Sequence, residues 1–237
     1  TDKTVEVASK YADKIIFDDG KGLGAARNLG IAESKKTFIL NFGADNSIKK
    51  EALQLMINDL DAHQGVSCLT RKVGSNYLNR CMNTYRYLRY QYGPVPTIGT
   101  PSLFRRTTLQ KYNFDNTRKG SDDSELCDRI RELAGGTFYI SEATCFENGH
   151  ETWNSIKFRW KNLYGGSDFE IYEANKSRWS LLRRLASIFY PLRKEFFTAV
   201  FRIRKIKELE IIPFLIFITF WRYVGWMKSK CLKMLKA

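Results

Sequence analysis

The sequence predicts an α/β fold, a sheet flanked by helices, and three observations carry that expectation. Apolar runs of strand length alternate with segments spaced at helical period, and glycine- or proline-bearing turns separate them. The third is supply: a 237-residue chain with 43% hydrophobic and 14% aromatic residues can build one core and one appended element. Disorder as the main state is excluded.

Thr1 and Asp2 are placed to cap a helix with Val5, Ala8 and Tyr11 along one face, and Lys14-Ile15-Ile16-Phe17 reads as a short buried strand. Gly20 to Gly24 is a turn and Ala25 to Ser34 a helix. Phe38 to Phe42 is an apolar run of strand length ending at Gly43, so Asp45 falls just past a strand's C-terminal end. In open α/β sheets ligands collect outside that edge, which makes it the first place to look for chemistry. Leu53, Met56, Ile57 and Leu60 keep helical spacing, Val66 to Leu69 returns as a strand, and Asn76 to Tyr92 is a helix stopped by Pro94 and Pro96. Ile98 to Phe104 is extended, Thr107 to Tyr112 a short helix and Asn113 to Gly120 a polar loop. A helix from Asp122, with Leu126, Ile130 and Leu133 inward, ends at Gly135-Gly136 before a strand from Thr137 to Ile140.

The net charge of +14 is lopsided. Ala174 to Ala237 holds 15 of the 39 basic residues and 3 of the 25 acidic ones, which leaves the first 173 residues nearly neutral. A nucleic-acid binder spreads basic residues over its folded domain, and Leu, Phe and Ile lie between the charges of this tail, so no nucleic-acid partner is expected. Trp179 to Ile203 reads as two amphipathic helices broken at Pro191. Ile211 to Trp221 is apolar apart from Pro213 and Thr219, and Arg222 then interrupts the run. That run is short for a bilayer span, and interfacial insertion fits it better; a helical hairpin packed on the domain or joining copies is the alternative. The five cysteines are scattered without a zinc spacing, as expected of idle thiols in a reducing compartment. Thr1 to Lys14 is polar rather than a signal peptide, so a catalytic part, if there is one, is expected to face the cytoplasm.

Three segments stand out: Gly24-Ala25-Ala26-Arg27-Asn28-Leu29-Gly30, Phe38-Ile39-Leu40-Asn41-Phe42-Gly43-Ala44-Asp45-Asn46, and Asp122-Asp123-Ser124-Glu125-Leu126-Cys127-Asp128-Arg129. Their order, with 78 positions from Asp45 to Asp123, resembles the nucleotide-sugar glycosyltransferases of family 2. The resemblance runs from Thr1 to about Ile171. It implies the GT-A fold, a Rossmann-like mixed sheet flanked by helices, here missing its first β-α-β portion and followed by amphipathic and hydrophobic C-terminal helices. Residues 1–173 would be the catalytic domain and 174–237 a membrane-associating tail.

The family implies roles that elementary chemistry can justify. A sugar diphosphate leaving group is dense in negative charge, and a divalent cation, Mg or Mn, held by a carboxylate stabilises it. Asp45 is the expected metal or diphosphate residue, although Gly43 stands where the family has a second acid. Inversion at the anomeric carbon needs a base for the acceptor hydroxyl, and the resemblance assigns Asp123, with Asp122, Glu125 and Arg129 in support. The competing role for acids at a helix start is capping. Arg27 and Asn28 are expected to bind the donor's phosphate or ribose oxygens. Gly22 and Gly24 do not make a dinucleotide fingerprint, because Arg27 occupies the third glycine position. Gly99 to Arg106 should shape the acceptor side; Glu147 stands where members often carry histidine, and His150 is expected to be a surface residue. Arg159-Trp160 resembles the end of a processive-synthase motif, but Ile156 replaces its glutamine, so single addition is expected. The resemblance thus implies an inverting, hexosyltransferase-like enzyme with a nucleotide-sugar donor, a lipid-linked acceptor and a place at the cytoplasmic membrane face. A non-catalytic membrane-binding relative is the alternative.

Overall fold

The computed structural model describes residues 3–117 and 122–235. One mixed sheet organises it: β1 (Phe38–Asn41), β2 (Asn46–Ile48), β3 (Gly65–Lys72), β4 (Gly93–Val95), β5 (Ser102–Arg105) and β6 (Phe138–Glu147). The spatial order is β1-β5-β3-β6-β2, with β4 also paired to β6. Only β3 and β6 run parallel among the described pairs, and a register shift falls between Cys68 and Leu69.

Strand alternation sends neighbouring side chains of β5 to opposite faces. Phe104 packs with Leu109, Leu126, Ile130 and Phe138 under the helices Arg106–Tyr112 and Asp122–Ala134. Leu103 packs with Met56, Leu60 and Val66 under the helix Lys50–Asp59. A third cluster joins the helix Tyr77–Arg89 to Ile156, Trp160 and three residues of the long C-terminal helix Ile212–Met234: Phe214, Leu215 and Ile218.

Three local expectations are overturned. Lys14 to Phe17 forms no strand and Phe17 is exposed, because no described strand lies beside it to complete a ladder. The first helix is only Thr4–Ala8, buries nothing and stops short of Tyr11, while the proposed caps Thr1 and Asp2 lie outside the described residues. Leu133 is exposed, since Ile130 is the last residue of its helix to reach the core. Part of the loop expected over Asn113 to Gly120 also lies outside the described residues.

The C-terminal apolar run is a helix that continues through Arg222 instead of being interrupted there. Arg222 is buried, its Nε and Nη2 donating to Asp168 at 2.6 and 2.8 Å and its Nη1 to Glu195. Added Cβ atoms at Gly165 and Gly225 would strike the Arg222 and Lys161 carbonyls, so these two glycines let the helix Gly165–Asn175 and the preceding turn cross the long helix backbone against backbone. By length and composition the segment 206–234 is long and apolar enough to cross a membrane, and it is also partly buried against the protein.

Candidate active site

The helix Leu23–Glu33 brings Arg27 and Asn28 to the site. It starts after Gly22, whose φ of 100° suits glycine and whose N–H donates to the Asp18 carboxylate at 3.2 Å. Gly24 is small for a reason: a Cβ there would lie 2.8 Å from the Asp115 carbonyl oxygen of the loop above it. Asn28 fixes that loop, with Nδ2 donating to the Phe114 carbonyl and to Asn116 Oδ1, and Oδ1 accepting from Phe114 N, each at 2.8 Å. Glu125 and Arg129 brace it from the other side. Arg129 takes both oxygens of Glu125, at 2.7 and 2.9 Å, and donates to the carbonyls of Tyr112 and Asn113.

Arg27 spans 95 positions to meet the acids at the start of the helix Asp122–Ala134. Its Nη1 donates to Asp122 Oδ2 at 2.5 Å and to Asp123 Oδ1 at 2.8 Å; its Nη2 donates to Thr100 Oγ1 at 2.9 Å. The Phe114 ring lies 4.8 Å below the guanidinium. The two acids differ in access: the Asp122 side chain is 9% exposed and Asp123 24%. Burial pushes the Asp123 carboxyl above its usual value; the Arg27 charge opposes that rise, and the neighbouring Asp122 adds to it. Ser67, donating to the carbonyls of Gly99 and Pro101 at 2.9 and 2.7 Å, braces the Thr100 segment.

Beside this group lies a cavity of about 560 Å³, whose wall includes Arg27, Thr100, Asn41 and Gly43. β1 ends at Asn41, and the chain turns through Gly43 to Asn46, the Asn46 N–H donating to the Gly43 carbonyl at 3.0 Å. Asp45 is exposed on this turn. It lines a second cleft of about 410 Å³ with Lys72, Glu147, His150, Glu151 and Arg159. The floor of that cleft is an ion network: Lys72 Nζ lies 2.6 Å from Glu147 and 3.0 Å from Glu151, Arg86 pairs with Glu147, and Arg159 with Glu151. Burial would raise the Glu151 carboxyl, but Arg159 and Lys72 overcome it and hold it at about 2. Arg27, Asp122, Asp123 and Thr100 therefore form one cluster. Asp45 is not one of its members: it lines the second cleft, while Gly43, two residues before it, lines the first cavity. His150 is exposed, 3.3 Å from Asn76, and Trp160 is buried. Lys72 and Glu151 carried no motif; a lysine closing an apolar strand was the available signal.

No group of three or more His, Cys, Asp or Glu side chains among the described residues is arranged to hold an ion. In the second cleft Glu147 and Glu151 are committed to Lys72, Arg86 and Arg159, and Asp45 is the lining carboxylate outside that network. A single carboxylate matches an ion brought in largely by substrate phosphates and water, not a preformed protein cage.

The profile of glycosyl transferase family 2 matches residues 1–127. The chain belongs to that family. A relative, the probable glycosyltransferase YdaM of Bacillus subtilis (strain 168), is 24% identical over a 217-residue alignment that covers 82% of this chain and 49% of YdaM. The chain thus spans about half the length of this curated relative. Among solved structures, the mannosyltransferase PcManGT of Pyrobaculum calidifontis, in complex with GDP-Man and Mn2+, superposes with a TM-score of 0.63 at 14% identity. The match covers 97% of this chain and 74% of that one. The family 2 chain accordingly has the GT-A glycosyltransferase fold.

Proposed function

We propose that this protein transfers a sugar, with inversion, from a nucleotide-diphosphate donor to an acceptor hydroxyl or phosphate. The observation that carries the reading is the Arg27–Asp123–Thr100 cluster on the wall of the 560 Å³ cavity, a volume suited to a small organic ligand. Asp123 accepts the acceptor's proton at a carboxylate oxygen as the acceptor oxygen attacks the anomeric carbon. The bond to the diphosphate breaks on the opposite face and its electron pair leaves with the diphosphate. Arg27 aims Asp123 and places positive charge at the cavity wall, and Asn28 acts on the donor side by holding the loop over that wall. Asp45 would hold a divalent cation, Mg or Mn, arriving with the diphosphate; bound there, the ion supplies charge neutralisation to the leaving group.

Residues 1–173 form the catalytic unit and 174–237 the part that meets a membrane, at its cytoplasmic face, where a lipid-linked acceptor for glycan or glycolipid synthesis would be presented. The basic tail and its aromatic residues support this placement. A second reading, a membrane-binding relative without activity, is favoured by Gly43 alone. Release of nucleoside diphosphate from nucleotide sugars by the full-length protein separates the two. Transfer is expected for the wild type, with a product of inverted anomeric configuration by NMR, and an equal rate for Asp123→Asn would remove Asp123 from the mechanism.

A further inference from the structure

The longest apolar run of the chain packs partly against the protein, whereas a shorter helix in the tail turns its apolar face out. In the helix Leu181–Ile188, the 100° step per residue gathers Leu181, Leu182 and Leu185 on one face, which Phe189 extends, and sets Arg183, Arg184 and Ser187 opposite. The less exposed positions of the helix are Arg184, Ser187 and Ile188, and Arg184 Nε donates to the Trp179 carbonyl at 3.0 Å, just before the helix starts. The apolar side is turned out. Leu181 is 70% and Leu182 80% exposed, Leu185 and Phe189 are exposed too, and no residue of the helix is buried. A surface helix of a water-soluble domain packs with its apolar stripe inward, so this inverted arrangement marks a contact surface.

Charge identifies what the surface meets. From Ala174 to Lys194 the sequence has no acidic residue and six basic ones, of which Lys176, Arg178, Arg183 and Arg193 are exposed. The far end of the helix Ile212–Met234 adds to the same neighbourhood. Glu173 pairs with both Lys176 and Lys233, and Lys230 lies over the Trp226 ring. Tyr172 touches both that ring and Trp179, the residue that leads into the outward helix.

We propose that Leu181, Leu182, Leu185 and Phe189 are the residues by which the protein lies on an anionic bilayer. The helix sits in the plane of the leaflet with these side chains at the acyl boundary, and the arginines and lysines sit among the headgroups. The proposal deepens the membrane reading above and is independent of sugar transfer. A second copy of the chain is the poorer occupant, because two such faces would bring their uncompensated arginines together.

Sedimentation of the full chain with vesicles of phosphatidylcholine, with and without phosphatidylglycerol, tests it. The wild type is expected to bind the anionic vesicles, to release as salt rises, and to ignore the neutral ones. Leu182→Ser/Leu185→Ser should weaken binding at least about tenfold by removing two buried leucines, with unchanged ellipticity and melting. Arg178→Glu/Arg183→Glu should weaken it comparably. Wild type that binds neither vesicle overturns this surface and the membrane reading together. Wild-type binding that the leucine variant retains overturns the surface alone, and dimers that this variant dissociates, with no vesicle binding, assign the face to a second copy.

Discussion

Arg27 does two things with one guanidinium: it aims Asp123, and it sets the affinity of that carboxyl for a proton. Because burial lifts Asp123 above the ordinary carboxylate value of about 4, the acid limb of the kcat/KM profile should lie above that pH. Arg27→Met takes away the cation that opposes the rise, so the limb should move further up. Asp123→Asn should lower kcat by about 10² to 10⁴, the usual worth of a general base. It should also leave the fold at least as stable at neutral pH, since a carboxyl raised by burial loses its folded-state advantage once it ionises. Glu151 has the opposite sign. Held at about 2, against about 4.3 when unfolded, it stabilises the protein above that higher value and loses its contribution as pH falls towards 2. Urea midpoints measured from pH 6 down to 2.5 should therefore fall less steeply for Glu151→Gln. Arg27, Asp45 and Asp123 stood out as candidates because their types recur in ordered motifs, and the structure joins the first and last of them. The grip of Arg27 on both acids was not legible in the sequence, since a contact across 95 positions leaves no periodic trace.

Elements were read well where periodicity reports on a nearby core and poorly where it depends on a partner. The strand Phe38–Asn41 and the helix Lys50–Asp59 fall where apolar runs and spacing put them, and the helix Tyr77–Arg89 ends before the prolines expected to stop it. Lys14 to Phe17 has strand composition without a described neighbour, and composition alone makes no ladder. The apolar length of Ile212–Met234 was equally visible, but the role of its arginine was not, because spacing does not reveal that Asp168 and Glu195 wait inside. Arg222→Leu takes one of two arginines from the buried Glu195 and both donors from Asp168, and should cost about 3 kcal/mol or more in a denaturant titration. Gly225→Ala drives a methyl into the Lys161 carbonyl and should cost about 1–3 kcal/mol by the same measurement.

At the scale of the whole molecule, the sequence suggests a neutral catalytic part with a basic appendage, yet the two share a core. Leu78, Met82, Tyr85, Ile156 and Trp160 pack against Phe214, Leu215 and Ile218. A chain ending at Glu173 uncovers these side chains and should self-associate, which light scattering against the full chain would detect. The helix Tyr77–Arg89 ties the ends together. Arg89 and Tyr85 reach the tail through Glu195, while Arg86, one residue from Tyr85, holds Glu147 at the floor of the second cleft. A single strut therefore carries both the footing and the mouth of this molecule, so the opening stands at a set height and tilt above whatever the tail rests on. On the proposed function, a lipid-linked acceptor would have to bring its reactive oxygen to that level, which would make the length of its tether a criterion of selection.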